Sequence, residues 1–119
     1  MTGAGVPPGE SPGTVETAMV GGVVVARPQG DLDFDTCGGL RRALDEEFAD
    51  PDARRGVVVD LRRVVFCDSA GLGVLLHARG RAAETGREFS LAGPRGQVER
   101  ILDTTGTRSL FTVTPGPPE

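Results

Sequence analysis

The run Gly56-Val-Val-Val-Asp-Leu61 constrains this chain more than any other feature. Three successive valines do not alternate between a wet and a dry side, so a strand built from them is buried on both faces. Such a strand belongs in the middle of a sheet, with other layers covering it. The segments around the run supply them. "TVETAMV" and "VVVARPQG" flank Gly21-Gly22 and predict two short strands joined by a tight hairpin. "DLDFDT" then leaves the strand, and Asp35 or Thr36 is expected to cap a helix through "CGGLRRALDEEFA", where Leu40, Ala43, Leu44 and Phe48 recur at helical spacing.

"VVFC" is a strand-like run, followed by a helix from Ser69 to Thr85 that stops near Gly86. Leu72, Leu75, Leu76, Ala82 and Ala83 give that helix its apolar side. "REFSLAG" reads as a third core strand. Gln97 to Thr105 reads as a short helix with Val98, Ile101 and Leu102 inward, and "SLFTVT" as a last or edge strand. Strands alternating with helices predict an α/β domain, a small mixed sheet of about four or five strands flanked by three or four helices. With 119 residues there is one domain, expected over residues 14–114. The Gly- and Pro-rich stretches 1–13 and 115–119 read as a disordered lead-in and tail.

Composition excludes several chemistries. All 13 basic residues are arginine, so neither a Schiff-base lysine nor a phosphate-loop lysine exists here. A net charge of −4 disfavours sequence-independent nucleic-acid binding, which needs surplus cations. Cys37 and Cys67 stand 30 residues apart with one histidine, His77, in the chain; they are expected to be free, buried thiols, and neither a metal nor a cofactor is expected. "GDLDFDT" places Asp31, Asp33 and Asp35 at alternate positions but lacks the glycine of a calcium loop, and reads as a solvated rim. There is no basic-then-apolar start of a signal peptide and no apolar run approaching the ~20 residues that cross a membrane. A cytoplasmic protein without membrane contact is expected.

The informative junction is "VVFCDSAGLGVLL", Val64 to Leu76. A serine at a strand-to-helix turn suggests a nucleophile elbow, but Cys67 stands where that motif has its first glycine. The single histidine is eight residues farther along the same helix, ~12 Å of rise away, and does not easily bend back to Ser69, which leaves a small hydrolase using Ser69 as the weakest of three readings. "GLGVLL" lacks the last glycine of a dinucleotide fingerprint. A helix cap by the Ser69 hydroxyl, with Asp68 favoured by the positive helix end, accounts for part of the pattern. It leaves Gly71 and Gly73 unexplained, since each costs up to ~1 kcal/mol against alanine in a helix. Small residues here let another molecule approach the backbone closely.

"VVVDLRRVVFCDSAGLGVLL", Val57 to Leu76, resembles the signature of the STAS-domain anti-sigma factor antagonists, a buried strand followed by Asp-Ser-[Ser/Thr/Ala]-Gly-[Leu/Met/Ile]-Gly/Ala. "QGDLDFDT", Gln29 to Thr36, is similar to that family's Gly-x-[Leu/Ile]-Asp turn before the first helix. The resemblance implies the STAS fold and a binding protein rather than an enzyme. It implies that Ser69 is phosphorylated, and that the unphosphorylated form binds an anti-sigma factor with serine kinase activity and frees a sigma factor. Phosphorylation ends that binding and a serine phosphatase restores it. Asp68, Ser69, Ala70, Gly71, Leu72 and Gly73, with Asp31 and Asp33 of the neighbouring turn, are the residues expected to meet the partner. Ala70 stands where many members carry a second Ser or Thr, so Ser69 has no adjacent rival acceptor. The same resemblance also admits a scaffold role in a stress-signalling complex that does not act on a sigma factor.

Overall fold

The computed structural model describes residues 15–118. The lead-in expected over 1–13, Thr14 and Glu119 lie outside the described residues. Strands β1 (Glu16–Val20) and β2 (Val23–Arg27) form an antiparallel hairpin in which Val20 faces Val23 across a two-residue turn. Gly21 and Gly22 have φ of 58° and 84°, the pair of positive values that a type I′ turn demands and that side chains oppose. Strand β3 (Gly30–Leu32) leads into helix α1 (Cys37–Phe48), which is followed by β4 (Val57–Asp60), β5 (Val64–Cys67) and α2 (Ser69–Thr85). The chain ends with β6 (Phe89–Ala92), α3 (Gln97–Thr104), a 3-10 turn at 108–110 and β7 (Thr112–Thr114).

The main sheet has five strands in the order β1-β2-β4-β6-β7, parallel except for the first pair. With three α-helices among the described residues, this is the mixed α/β architecture the sequence predicts. β4 is central, and every residue of it is buried, as its valine run requires. Its side chains divide between two cores. Val57 and Val59 join Ala26, Leu91, Leu40, Leu44, Phe48, Leu75, Val98 and Leu102 beneath the three helices, whereas Val58 packs with Val25 and Ala92 on the opposite face.

Three local expectations are corrected. "VVVARPQG" is not one strand that "DLDFDT" simply leaves: β2 ends at Arg27, and β3 pairs in parallel with β5, forming a second, two-stranded sheet with a register shift between Gly30 and Asp31. Pro28, which has no amide hydrogen for a ladder, separates β3 from β2. On α2, Ala83 is exposed, and the inward stripe is Gly71, Leu72, Val74, Leu75, Ala78 and Ala82, a helical face on which Ala83 lies one position round. At α1, neither Asp35 nor Thr36 caps with its side chain; Thr36 is the boundary residue, but its hydroxyl turns back toward β3.

Of the segment 115–119, residues 115–118 are described, with Thr114 Oγ1 donating to the Gly116 carbonyl at 3.1 Å and Pro117 buried. One ionic cluster joins α1 to the segments before β4 and β6. Buried Arg87 donates to the Arg55 and Glu47 carbonyls, each at 2.9 Å, pairs with the Glu47 carboxylate and lies over the Phe48 ring. Burial acts to raise the Glu47 carboxyl, but hydrogen bonds from Arg55 and Arg87 outweigh it and hold the group below its ordinary range. No helix among the described residues is long and apolar enough to cross a membrane.

Candidate partner-binding site

The site is assembled where β5 hands the chain to α2. Asp68 is extended (φ −102°, ψ −172°) and forms the N-cap, its Oδ1 accepting from the Gly71 amide at 3.0 Å. Its other carboxylate oxygen accepts from the Phe34 amide at 3.1 Å, and its own amide donates to the Leu32 carbonyl at 3.3 Å. One aspartate therefore caps α2 and fastens the β3–α1 turn to it. The two segments singled out in the sequence meet through this side chain.

The capping role belongs to Asp68 and not to Ser69. Ser69 is the first helical residue, exposed, and its hydroxyl makes no hydrogen bond to any described residue. The geometry is simple: a residue already in helical conformation directs its side chain away from the amides of its own first turn, which the preceding extended residue can reach.

The β3–α1 turn is equally ordered. Asp33 Oδ1 accepts from the amides of Asp35 (3.0 Å) and Thr36 (3.1 Å), while Thr36 Oγ1 accepts from the Asp33 amide at 3.0 Å and donates to the Asp31 carbonyl at 2.7 Å. Asp33 is thus half-buried and structural, not part of a solvated rim; Asp31 and Asp35 are exposed. On the other edge of β5, the Gln97 side-chain amide acts as a short surrogate strand. Its Oε1 accepts from the Cys67 amide at 2.8 Å and its Nε2 donates to the Cys67 carbonyl at 2.9 Å. Sequence reasoning missed Gln97, whose only signal is a polar side chain at the start of a helix otherwise read for its apolar face.

Six of the eight expected contact residues reach the surface: Ser69, Gly73 and Asp31 are exposed, and Ala70, Asp68 and Asp33 are half-buried. Gly71 and Leu72 are corrections. Leu72 is only 6% exposed and belongs to the main core. Gly71 faces β3: an added Cβ would lie 2.2 Å from the Leu32 carbonyl oxygen and 3.0 Å from Cys67 Sγ. Its small size serves helix–strand packing inside the protein, not access from outside. At Gly73 an added Cβ would meet nothing within 4 Å, so that position is open to solvent.

Neither cysteine is in a disulfide; Cys67 is buried and Cys37 half-buried. Burial foremost, then the nearby charge of Asp68, pushes the Cys67 thiol up to about 11, so it is a packing residue rather than a nucleophile. His77 is exposed with Nε2 3.4 Å from Asp45 Oδ1 on α1, engaged away from the serine. The two segments that meet at Asp68 are acidic in sequence. Between Gly30 and Gly39, and between Val64 and Leu76, the chain carries four carboxylates and no arginine.

Comparison with known proteins identifies the family of the fold. The model of the STAS domain matches residues 14–117. An anti-sigma F factor antagonist of Paenibacillus polymyxa is 32% identical over 94 residues, 79% of this chain and 77% of that protein. A STAS-domain containing protein of Pseudomonas aeruginosa is 34% identical over 85 residues, 71% of this chain and 81% of its own. The crystal structure of an anti-sigma factor antagonist from Mycobacterium paratuberculosis superimposes with a TM-score of 0.75 at 26% identity, covering 86% of this chain and 85% of that one. With the family model spanning nearly the whole described domain, the chain belongs to the STAS domain family.

Proposed function

We propose that this protein is a non-enzymatic anti-sigma factor antagonist switched at Ser69. Unphosphorylated, it binds an anti-sigma factor with serine kinase activity and frees a sigma factor. Phosphorylation of Ser69 ends the complex and a serine phosphatase restores it. The observation that carries this reading is the division of labour at the helix start: Asp68 caps, leaving the Ser69 hydroxyl exposed and unbonded.

A phosphate at Ser69 adds about −1.5 to −2 charge. At the first turn of α2 that charge meets the positive end of the helix, so the fold tolerates it. The partner does not. At ~6 Å and an effective dielectric of about 40, a dianion and one partner carboxylate repel by roughly 3 kcal/mol. That is more than a hundredfold in affinity.

The test uses Ser69→Ala as bait in host lysate with ATP, followed by purification of the captured protein, identified by mass spectrometry. The expected partner is an anti-sigma factor that phosphorylates the wild type only on Ser69. Binding should be strongest for Ser69→Ala, weaker for Ser69→Glu and weakest for the phosphoprotein. Equal affinities for the phosphorylated and unphosphorylated forms, or phosphate mainly on Ser90 or Ser109, would remove the switch. Capture of stress-complex components without kinase activity would favour the scaffold role.

A further inference from the structure

Five large apolar side chains are exposed among the described residues: Met19, Phe34, Val65, Phe66 and Leu110. Three of them fall in the two segments that meet at Asp68. Phe34 is 80% exposed, Val65 69% and Phe66 41%. Phe66 sits opposite Asp31 in the β3–β5 ladder, and the next pair, Leu32 and Cys67, is buried, so Phe66 and Asp31 occupy the outward face of the small sheet. Val65 falls where the register of that ladder shifts, and β5 shows two successive exposed residues there. The amide of Phe34 is held by Asp68, the residue before Ser69.

Among the described residues neither ring takes part in an aromatic or cation–π contact. The aromatic contacts of the core involve Phe48, Phe89 and Phe111, the other three phenylalanines. Yet the backbone under Phe34 is fixed from both sides, by Asp68 at its own amide and by Asp33 at the amides of Asp35 and Thr36. An aromatic ring on a pre-ordered turn loses little entropy on docking, and buried aromatics surrounded by polar residues dominate protein interfaces.

We infer that Phe34 and Phe66, with Val65 beside them, are the apolar anchor of the partner complex, seating in a pocket of the partner protein that is rimmed by basic residues. The inference rests on the proposed function for the identity of the partner, not for the anchor itself. Charge selects the occupant. Asp33 and Asp35 flank Phe34 in the chain, Asp31 lies opposite Phe66 in the ladder and Asp68 accepts from the Phe34 amide, while Arg62 and Arg63 precede β5 outside both segments. A second copy would bring two such acidic sets together in a chain of net charge −4, and an anionic lipid surface would be repelled likewise. A protein surface with lysine or arginine around an apolar socket satisfies both features.

The test titrates the protein captured by the Ser69→Ala bait, once identified and purified, against Phe34→Ala, Phe66→Ala and Met19→Ala by calorimetry. Met19, 58% exposed on β1, is the control for loss of an exposed apolar side chain elsewhere. Phe34→Ala is expected to weaken binding at least tenfold, Phe66→Ala several-fold and Met19→Ala less than twofold. Phe34→Trp should keep most of the affinity, and raising salt should weaken the wild type. Thermal melts of all variants should coincide, since both rings face solvent. Phe34→Ala binding within twofold of wild type, in a complex that Ser69 phosphorylation still breaks, would overturn the anchor and leave the switch intact. A captured protein that is no anti-sigma factor but still needs Phe34 would support the anchor and refute the proposed partner. Failure to capture any protein, or a wild-type dimer in sedimentation that Phe34→Ala dissolves, would overturn the inference.

Discussion

Gly71 and Gly73 stand two residues apart in one helix and should respond to alanine with opposite signs. By helix propensity alone, each Gly→Ala change stabilises by up to about 1 kcal/mol. At Gly73 nothing lies within 4 Å of the new methyl group, so that gain should survive. At Gly71 the methyl would lie 2.2 Å from a main-chain oxygen of β3, where real contacts stay above 3.0 Å. No side-chain rotation relieves a clash with backbone, so α2 and β3 must part by about 0.8 Å. Overpacking of this kind costs typically 1–3 kcal/mol. Separation also strains the hydrogen bonds that the Gly71 and Phe34 amides donate to Asp68, which puts the expected loss toward the upper part of that range. For Gly71→Ala the net expectation is about 2 kcal/mol of destabilisation, or a Tm lower by roughly 8–12 °C in a domain of this size. Gly73→Ala should melt at the wild-type temperature or a few degrees above. Circular dichroism melts of the two variants check this directly. If Gly71→Ala were as stable as wild type, the close approach of α2 to β3 would be wrong. Equal losses at both positions would point instead to a general intolerance of the helix start. Larger substitutions at Gly71, arginine included, should fail by misfolding, so they cannot probe the binding surface.

Val58→Asp should cost several kcal/mol, because it places a carboxylate with no partner between Val25 and Ala92; a denaturant midpoint equal to wild type would contradict the two-sided burial of β4. Asp68→Ala should lose about 1 kcal/mol as a missing cap and should also release the Phe34 amide, seen as faster hydrogen exchange there; Asp68→Asn should recover most of the stability. Buried Asp60 is subject to burial, which raises its carboxyl, but the Arg62 hydrogen bonds and the charge of Arg27 prevail and hold it below the ordinary range. Its folded-state value is therefore depressed, so its stabilising effect is present above the ordinary carboxylate range and is lost as pH falls through the depressed value. The stability advantage of wild type over Asp60→Asn in urea should shrink between pH 6 and pH 3; an unchanged gap would mean the ion pairs are not what Asp60 contributes.

The parts of this fold legible in the sequence are those where side-chain chemistry and backbone geometry agree locally. The Gly21-Gly22 hairpin, the valine run of β4 and the limits of α2 all belong to that class, because each is set by residues adjacent in the chain. The features that differ from the sequence expectation depend on contacts across the chain. β3 is three residues long and exists only because β5 lies beside it. Gly71 looked like a concession to a partner because glycine at a helix start is costly, and the strand that requires it lies 39 residues earlier. Asp68 and Ser69 are both good capping residues by type, so composition alone does not say which caps. The exposed rings carry no sequence signal for a similar reason: Phe34 sits among aspartates in a turn, outside any periodic pattern.

The choice of cap bears on whether a switch at Ser69 can be repeated. Had the serine hydroxyl been the cap, phosphorylation would have altered a group holding the first turn, and each cycle would have disturbed the fold along with the surface. Here the Gly71 amide is already satisfied by Asp68, and the same carboxylate holds the turn that presents Phe34. The proposed acceptor, Ser69, is thus one residue from the structural bond without being part of it. Gln97 on the other edge of β5 adds to this, fixing Cys67 through both of its backbone groups directly before the capping residue. A charge added at Ser69 therefore falls on a scaffold braced from β3, from α3 and from within α2. The added charge has little internal structure to change and acts mainly on what approaches from outside, beside carboxylates already facing the same way.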